Sequence, residues 1–152
     1  MPKDRLDNLS IENAHIMFRN FAGRADQYTR QGDRNFCVVI DDAEEALTLQ
    51  NDGWNVKTLK PREEGDLPTY YINVSVSYNV APPMIYLIAG RKKTVMSEDA
   101  IEALDYAEIR GVDLILNPYR WEVNKKTGIK AYLKTMYVTI EQDQFAGKYE
   151  DM

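Results

Sequence analysis

The chain has 152 residues, of which 44% are hydrophobic, and a formal net charge of −5; this length can bury one core without disulfide or metal support. No run of about 18 apolar residues occurs, which excludes a membrane-spanning helix. The single cysteine, Cys37, excludes an intramolecular disulfide, and the single histidine, His15, leaves too few ligands for a zinc site. We therefore predict one cytoplasmic domain over residues 1–140 and a short tail at 141–152, without metal or cofactor.

Short strands are predicted along the first two thirds of the chain. The clearest is 69–78, where Tyr70, Ile72 and Val74 alternate with a second, more polar set, as in a strand buried on one face. The predicted strands here are 11–21, 35–41, 54–59, 69–78 and 84–89.

Two short acidic helices are predicted between these strands. The first covers 42–52, because Asp41 or Asp42 can cap its start and Gly53 suits the position after its last turn. The second covers 97–106 and begins with a serine cap.

The charges are unevenly distributed. Segments 41–52 and 97–108 hold ten carboxylates and no Lys or Arg, whereas most basic residues, including Lys57, fall on predicted strands and hairpins. If both helices pack on one side, the molecule has an acidic back and a basic groove, and such a field steers an anionic strand into one orientation.

A basic β-hairpin is predicted near the C-terminus, with strands at 114–123 and 129–140 around a turn at 124–128. Between 113 and 140, five basic residues face two acidic ones, a surplus of three positive charges in an acidic chain. The basic residues are Arg120, Lys125, Lys126, Lys130 and Lys134, and the acidic ones are Asp113 and Glu122.

Aromatic rings are interleaved with these cations. Alternation places Lys130, Tyr132 and Lys134 on one strand face, and Tyr119 and Trp121 together on a face of the other arm. Rings for stacking beside cations for phosphates are typical of surfaces that bind single-stranded nucleic acid. Core packing could equally claim Tyr119 or Trp121, but burying Tyr132 would bring two lysines inside.

A tripeptide, Arg-Asn-Phe, occurs twice in the N-terminal half, at 19–21 and 34–36. If both copies are extended, each Arg and its Phe share a face, which predicts two further cation-and-ring pairs on the surface. The alternative places both Phe rings in the core. The candidate nucleic-acid-binding residues are therefore Arg19, Arg34, Lys57, Tyr119, Arg120, Trp121, Lys125, Lys126, Lys130, Tyr132 and Lys134.

No enzyme is predicted. Cys37 lies in an apolar strand-like run, which favours an inert buried thiol over a nucleophile paired with His15. The acidic cluster around Asp41 and Asp42 could hold Mg²⁺ in a nuclease, but helix capping explains it without further assumptions. Phosphate-binding glycine loops and nucleophile elbows are absent from the sequence.

Four segments together resemble a family of small proteins encoded by tailed bacteriophages and described as OB-fold, single-stranded-DNA-binding-like. The resemblance extends from about Ile11 to Ile140, implies a role in the host cytoplasm, and brings no site residues with it. The segments that carry it are 34–42, 52–57, 117–123 and 128–134.

These observations predict a mostly β (α+β) fold: an OB-like small β-barrel with two short acidic helices and a C-terminal hairpin, with another open barrel or sandwich as the alternative. The predicted function is non-catalytic, sequence-tolerant binding of single-stranded DNA in phage replication, recombination or repair, with RNA left open. The alternatives are a protein-binding factor that inhibits a host nucleic-acid enzyme through its acidic face and, less favoured, a metal-dependent nuclease. The mildly acidic tail at 141–152 could recruit phage or host replication or recombination proteins.

Overall fold

The structure is a computed structural model that describes residues 7–25, 32–61, 63–79 and 82–141. Within these residues the chain forms a mostly β fold of nine strands, one α-helix and one short 3₁₀ helix. The predicted tail beyond Glu141 lies outside the described residues. The elements are β1 Leu9–Ala14, β2 Ile16–Asn20, β3 Arg34–Ile40, α1 Ala43–Asp52, β4 Val56–Leu59, β5 Thr69–Val76, β6 Met84–Ala89, β7 Lys92–Met96, the 3₁₀ helix Ile101–Asp105, β8 Ile109–Val123 and β9 Lys126–Ile140.

The nine described strands belong to one sheet, whose main path runs β1-β8-β9-β5-β3-β2. Strands β8 and β9 form a long antiparallel hairpin, and the other edge of β9 pairs in parallel first with β5 and then with β6. The two ends of the path, β1 and β2, are consecutive in the chain and separated only by His15. The chain itself therefore connects the strand beside β8 to the strand beside β3.

The core lies on one face of this sheet, which we call the inward face. On β9 the inward residues Ile129, Ala131 and Leu133 are buried, while Lys130 and Lys134 are exposed, as the alternation predicts. Each fully buried aliphatic or aromatic side chain contributes roughly 1.5–3 kcal/mol of transfer free energy. The opposite, outward face is consequently free to carry polar and aromatic groups.

The first predicted strand, 11–21, is wrong in its continuity. It is divided into β1 and β2, and β-bulges interrupt the pairing of each part. Asn13 and Phe18 have positive φ angles of 51° and 53°, a conformation that disfavours a long regular strand. The division has a clear consequence, since β1 pairs with β8 whereas β2 turns to pair with β3.

The first predicted helix is confirmed as α1. The Asp42 carboxylate accepts a hydrogen bond from the Glu44 N–H at 2.9 Å, and Gly53 ends the helix in the left-handed conformation with φ of 109°. Buried Ala46 and Leu49 attach the helix to the sheet. Neither helix in the described parts of the chain is long and apolar enough to cross a membrane.

The second predicted helix, 97–106, is wrong in extent and type. Only the 3₁₀ helix at Ile101–Asp105 forms, and no side chain caps it, so Ser97 is not a helix cap. Ile101 and Leu104 of this segment are nevertheless both buried. The two residues are one turn apart in a 3₁₀ helix, so both face the core.

Two further elements differ from the prediction. Strand β7 is absent from the predicted strands, and among the described strands it pairs with β6 alone. The hairpin turn is shorter than the predicted 124–128, because Asn124 and Lys125 alone form it, with φ angles of 51° and 67°. Two consecutive left-handed residues make a turn whose twist matches that of the flanking strands, so both strands can extend to the turn.

The N-cap of α1 can be tested by Asp42→Ala. Losing the side-chain acceptor leaves a first-turn N–H without its partner and should lower the free energy of unfolding by about 1 kcal/mol. Urea unfolding measures the difference. The control is Asp41→Ala, which removes the same charge one residue earlier; equal effects of both changes would contradict a specific cap.

Candidate nucleic-acid interface

The outward face of the β8–β9 hairpin carries the predicted rings and two of the predicted lysines. Cross-strand pairs along this face join Trp121 to Gly128 and Tyr119 to Lys130. The pair nearest the sheet joins Asn117 to Tyr132. Since paired residues point to the same side, the two arms form one surface, which we call the ring face.

Tyr132, Tyr119 and Lys130 contact one another on the ring face. The Tyr119 and Tyr132 rings meet edge to face, with centroids 6.0 Å apart, and the Lys130 ammonium lies 5.1 Å from the Tyr132 ring centroid. The core alternative for Tyr119 is wrong, because 55% of its surface is exposed. The arrangement holds a cation and two rings where a base and its phosphate could be contacted together.

Trp121 lies flat against the glycine opposite it. A Cβ atom at Gly128 would meet indole atom Cζ2 at 2.7 Å, closer than real Cβ contacts. The indole remains 39% exposed, so the core alternative is wrong for Trp121 as well. The glycine thus lets a large ring lie low on the hairpin and still present a face to solvent.

The ring face continues into a groove on the outward face of β3 and β5. Its floor contains Asn35, Asn73 and Ser75, and Ser75 pairs with Tyr132 of the hairpin. An open cavity of about 420 Å³ spans this junction and is lined by Lys130 and Tyr132 as well as by the floor. Small polar side chains on the floor leave room for a ligand to approach the backbone.

The far end of the groove is a larger open cavity of about 1060 Å³. Phe18 is 59% exposed there and packs edge to face against Tyr71, with ring centroids 6.1 Å apart. Lys57, a predicted site residue, also lines this cavity and pairs with Tyr71 across β4 and β5. The groove therefore has rings and a cation at both ends.

The rim of the far end adds another cation and ring. The Arg24 guanidinium lies 5.3 Å from the centroid of the Tyr106 ring, which is 67% exposed. Reciprocal hydrogen bonds of 2.9 Å between Asn20 and Arg24 fix the loop that positions the arginine. Arg24 and Tyr106 line the same cavity as Phe18.

Sequence reasoning missed four of these groove residues. For one of them the signal was available, since Tyr71 lies on the polar side of the alternation in β5. Phe18 points outward because of its positive φ and the bulge of β2, which no sequence period indicates. The missed residues are Phe18, Arg24, Tyr71 and Tyr106.

The prediction of two surface pairs from the repeated tripeptide is wrong. Phe21 and Phe36 are completely buried and stack on each other, with ring centroids 5.2 Å apart and planes inclined by 22°. Their arginines are held by backbone carbonyls. Arg19 Nη1 donates to the carbonyls of Leu104 and Ala107 at 2.7 and 2.8 Å, which ties β2 to the 3₁₀ helix.

Arg34 lines the near cavity but is engaged in three ways. Its Nε donates to the Phe21 carbonyl at 3.0 Å, and its Nη1 forms a 2.9 Å ion pair with Glu98. The guanidinium also lies 5.7 Å from the Tyr78 ring centroid. Burial and the Glu98 charge raise the pKa of Tyr78, an effect that Arg34 opposes.

The remaining predicted cations occupy different parts of the hairpin. Lys126 pairs with Val123 and so belongs to the ring face, and Lys125 is at the exposed turn. Arg120 pairs with Ile129 and therefore points to the other face. Lys134 is the extra residue of a β-bulge, since Ile115 and Leu116 pair with the residues on either side of it.

The acidic residues are not all turned away from the groove, which corrects the predicted polarity. Helix α1 contacts β3, β4 and β5, whereas the 3₁₀ helix contacts β2. Asp33, Glu98 and Asp105 line the two cavities. Glu98 pairs with Arg34, and Asp105 accepts the N–H groups of Phe21 and Ala22 at 2.6 and 3.1 Å, whereas Asp33 is exposed.

Cys37 is buried, as predicted, but it lies beneath the groove, where its thiol is 3.8 Å from Asn73 Oδ1. Burial raises the pKa of the Cys37 thiol to about 11, against a smaller opposing effect of Lys57. At neutral pH the thiol is therefore protonated and a poor nucleophile. His15 lines a separate cavity.

Asp42 acts as the helix cap, which confirms the capping interpretation of the acidic cluster. Across the residues that the structure describes, no group of three or more His, Cys, Asp or Glu side chains could hold a metal ion.

Fold and surface together define a class: a β domain with a groove of rings, cations and small polar groups, as in proteins that bind single-stranded nucleic acid. Over residues 1–152 the chain matches the family described as "Putative phage ssDNA-binding domain". The chain belongs to this phage single-stranded-DNA-binding family. No curated protein matches it at a significant level.

Solved structures of the single-stranded DNA-binding protein of bacteriophage Enc34 share the fold. The structure of that protein in complex with ssDNA has a TM-score of 0.57 at 13% identity, covering 91% of this chain and 89% of that chain. Its C-terminal truncation gives a TM-score of 0.54 at 14% identity, covering 90% and 87%. A third structure of the protein gives 0.56 at 11% identity, covering 91% and 83%.

The seat of Trp121 can be tested by Gly128→Ala. The backbone at Gly128 does not require positive φ, so the added Cβ acts mainly by pushing the indole away. We expect Trp121 fluorescence to shift towards that of a more solvated indole, with little change in the free energy of unfolding. Gly111→Ala is the control, because a Cβ there meets no atom within 4 Å; an unchanged spectrum in Gly128→Ala would contradict the contact.

The buried thiol predicts a pH dependence of stability. Because the folded pKa of Cys37 is raised from 9.0 to about 11, its contribution is complete below about pH 9 and is lost as the pH rises towards about 11. The loss amounts to at most roughly 2–3 kcal/mol. Urea unfolding across this range should show a steeper decline for the native protein than for Cys37→Ala. Parallel curves for the two proteins would refute the assignment, since other titrating groups act equally in both.

Proposed function

We propose that this protein binds single-stranded DNA without catalysis and with little sequence preference, in the groove and on the ring face. The observation that carries the proposal is the continuity of these two surfaces through the pair of Ser75 and Tyr132. Along that line, exposed rings alternate with lysines over a polar floor. Phosphates would be neutralised by Lys126, Lys130 and Lys57, while bases stack on the rings.

We also propose that the sheet is a barrel of the OB type. Support comes from the pairing circuit, in which the bent strand β1–β2 is followed by β3, β5, β9 and β8, with β5 parallel to β9. In OB folds the face of the second and third strands and the loops beside it bind oligonucleotides. Those strands correspond to β3 and β5, and one of those loops corresponds to the tip of the β8–β9 hairpin.

The distribution of charge at the groove and hairpin favours electrostatic attraction of an anionic strand, although the net charge of the protein is negative. Of the three carboxylates that line the groove, Glu98 is paired with Arg34 and Asp105 accepts two backbone N–H groups, while the exposed Asp33 lies at the near cavity. The lysines of the ring face have no carboxylate within salt-bridge distance in the described structure. The local field of the hairpin is therefore positive, and local rather than total charge governs the approach of an anionic strand.

Two predicted site residues receive a different role in this proposal. Arg19 holds the 3₁₀ helix against β2, and that helix precedes Tyr106 at the rim. Arg34 holds the backbone at Phe21 and the side chain of Glu98 at the near cavity. We assign both to positioning the groove, while Arg120 and Lys134 would contact a strand only beyond its main path.

In the cell, the strand would be the one exposed during phage replication, recombination or repair in the host cytoplasm. Residues 1–140 would act as a single binding domain, and the segment 141–152 would recruit replication or recombination proteins.

Titration of labelled oligonucleotides tests the stacking role of Tyr132. Tyr132→Ala should weaken binding by about 1–3 kcal/mol, roughly five- to 150-fold, because one base–ring stack is lost. Tyr132→Phe keeps the ring and should bind nearly as the native protein does. If the native protein shifts no oligonucleotide, but one host protein is recovered with it stoichiometrically, the protein-binding alternative is favoured.

Salt titration tests the phosphate contacts. Binding should weaken steeply with salt, and Lys126→Ala should reduce the slope of log K against log salt by about 0.7, the loss of one phosphate contact on a single strand. Lys125→Ala should have a similar effect across sequences. Lys60→Ala, an exposed lysine after β4, serves as the control; an equal effect there would indicate a general charge effect instead of contacts on the hairpin.

A further inference from the structure

A second group of stacked rings lies on the outward face of the sheet, beyond the groove. Tyr86 on β6 and Tyr137 on β9 are a cross-strand pair whose rings stack in parallel, with centroids 4.8 Å apart and planes inclined by 9°. The Lys93 ammonium on β7 lies 5.2 Å from one ring centroid and 6.0 Å from the other. We call these three residues the Tyr86 cluster.

The cluster faces solvent and not the core. Ile85, Met136 and Val138, the neighbours of the two tyrosines along their strands, are buried. The tyrosines are half-buried and Lys93 is exposed. Cross-strand packing of side chains stabilises a sheet, which accounts for the stack but not for a cation held over it on an open surface.

The same strand links the cluster to the ring face. Tyr132 and Tyr137 both lie on the outward face of β9, and Lys134 at the bulge between them is exposed. At about 3.3 Å per residue the two rings are roughly 15 Å apart along the strand. A chain of bases leaving the groove at Tyr132 would meet a cation and then a second pair of rings.

The charges near the cluster suit an anionic strand. Lys93 and Lys134 flank the stack, and Arg91 is exposed at the tip of the β6–β7 hairpin. Asp113 is the carboxylate paired with Tyr137 across β8 and β9, and its Oδ1 accepts the Asn13 N–H at 2.9 Å. The two lysines therefore outnumber the acidic group on this part of the face.

We propose that the Tyr86 cluster is a second stacking subsite for the same single strand. This inference rests on the proposed function. Strands that fill only the groove and ring face do not reach it, whereas longer strands pass Lys134 and stack on the exposed rings, with Lys93 contacting a phosphate. The cluster thus lengthens the binding site beyond the region that the hairpin and groove define.

The test compares variants across oligothymidylates of increasing length, spanning the roughly 4–16 nucleotides that one OB fold covers and some longer strands. Tyr86→Leu should lose about tenfold in affinity for long strands, the equivalent of one stack, and nothing for the shortest strand that binds. Lys93→Ser should show the same length dependence with a smaller loss. Being exposed, Lys93 can be replaced with little risk to folding.

Lys92→Ser is the matched control, because alternation places Lys92 on the opposite face of β7 from Lys93. An equal loss for Lys92→Ser and Lys93→Ser, or losses that are the same at every length, would overturn the subsite. If the native protein binds no oligonucleotide at all, the proposed function fails. If it binds, and both cluster variants match it at every length, the further inference alone fails.

Discussion

The two-sided pairing of β9 is the constraint on which the rest of the molecule depends. One edge of β9 is hydrogen-bonded to β8 along nearly its whole length, and the other is shared in parallel by β5 and then β6. Because both edges of β9 are hydrogen-bonded, each of its side chains points either into the core or to the outward face. Ile129, Ala131 and Leu133 enter the core, and this fixes Lys130 and Tyr132 on the outside, because a one-residue slip would exchange the two faces.

A β-bulge at Lys134 and a glycine at position 128 determine how the side chains of β9 and its partner strand are oriented. The extra residue Lys134 restores the inward direction for Met136 and Val138 while both it and Thr135 remain outside. Gly128 lets Trp121 lie across the hairpin. The bulge and the glycine keep the rings on the outward face of the hairpin. The same alternation keeps the lysines out of the apolar core.

Charge is balanced locally and not by separating two sides of the molecule. Two of the carboxylates that border the groove have internal partners: Asp105 holds the backbone after β2, and Glu98 holds Arg34. An acidic protein can therefore carry a positive hairpin without an acidic helix being placed on the opposite side. Two of the arginines that the sequence predicts as phosphate ligands, Arg19 and Arg34, donate hydrogen bonds to backbone carbonyls beside the groove.

The sequence by itself determined the alternation of β5, β8 and β9, the capped helix α1 and the basic, ring-bearing hairpin, since these depend on side-chain period and local hydrogen bonds. It did not determine the break at His15, strand β7, the outward turn of Phe18 or the burial of Phe21 and Phe36. Those depend on partners distant in sequence: β2 must leave β1 to reach β3, and the two phenylalanines stack only once those strands meet. Local pattern decides which face a residue takes, whereas only long-range pairing decides which faces join into a groove.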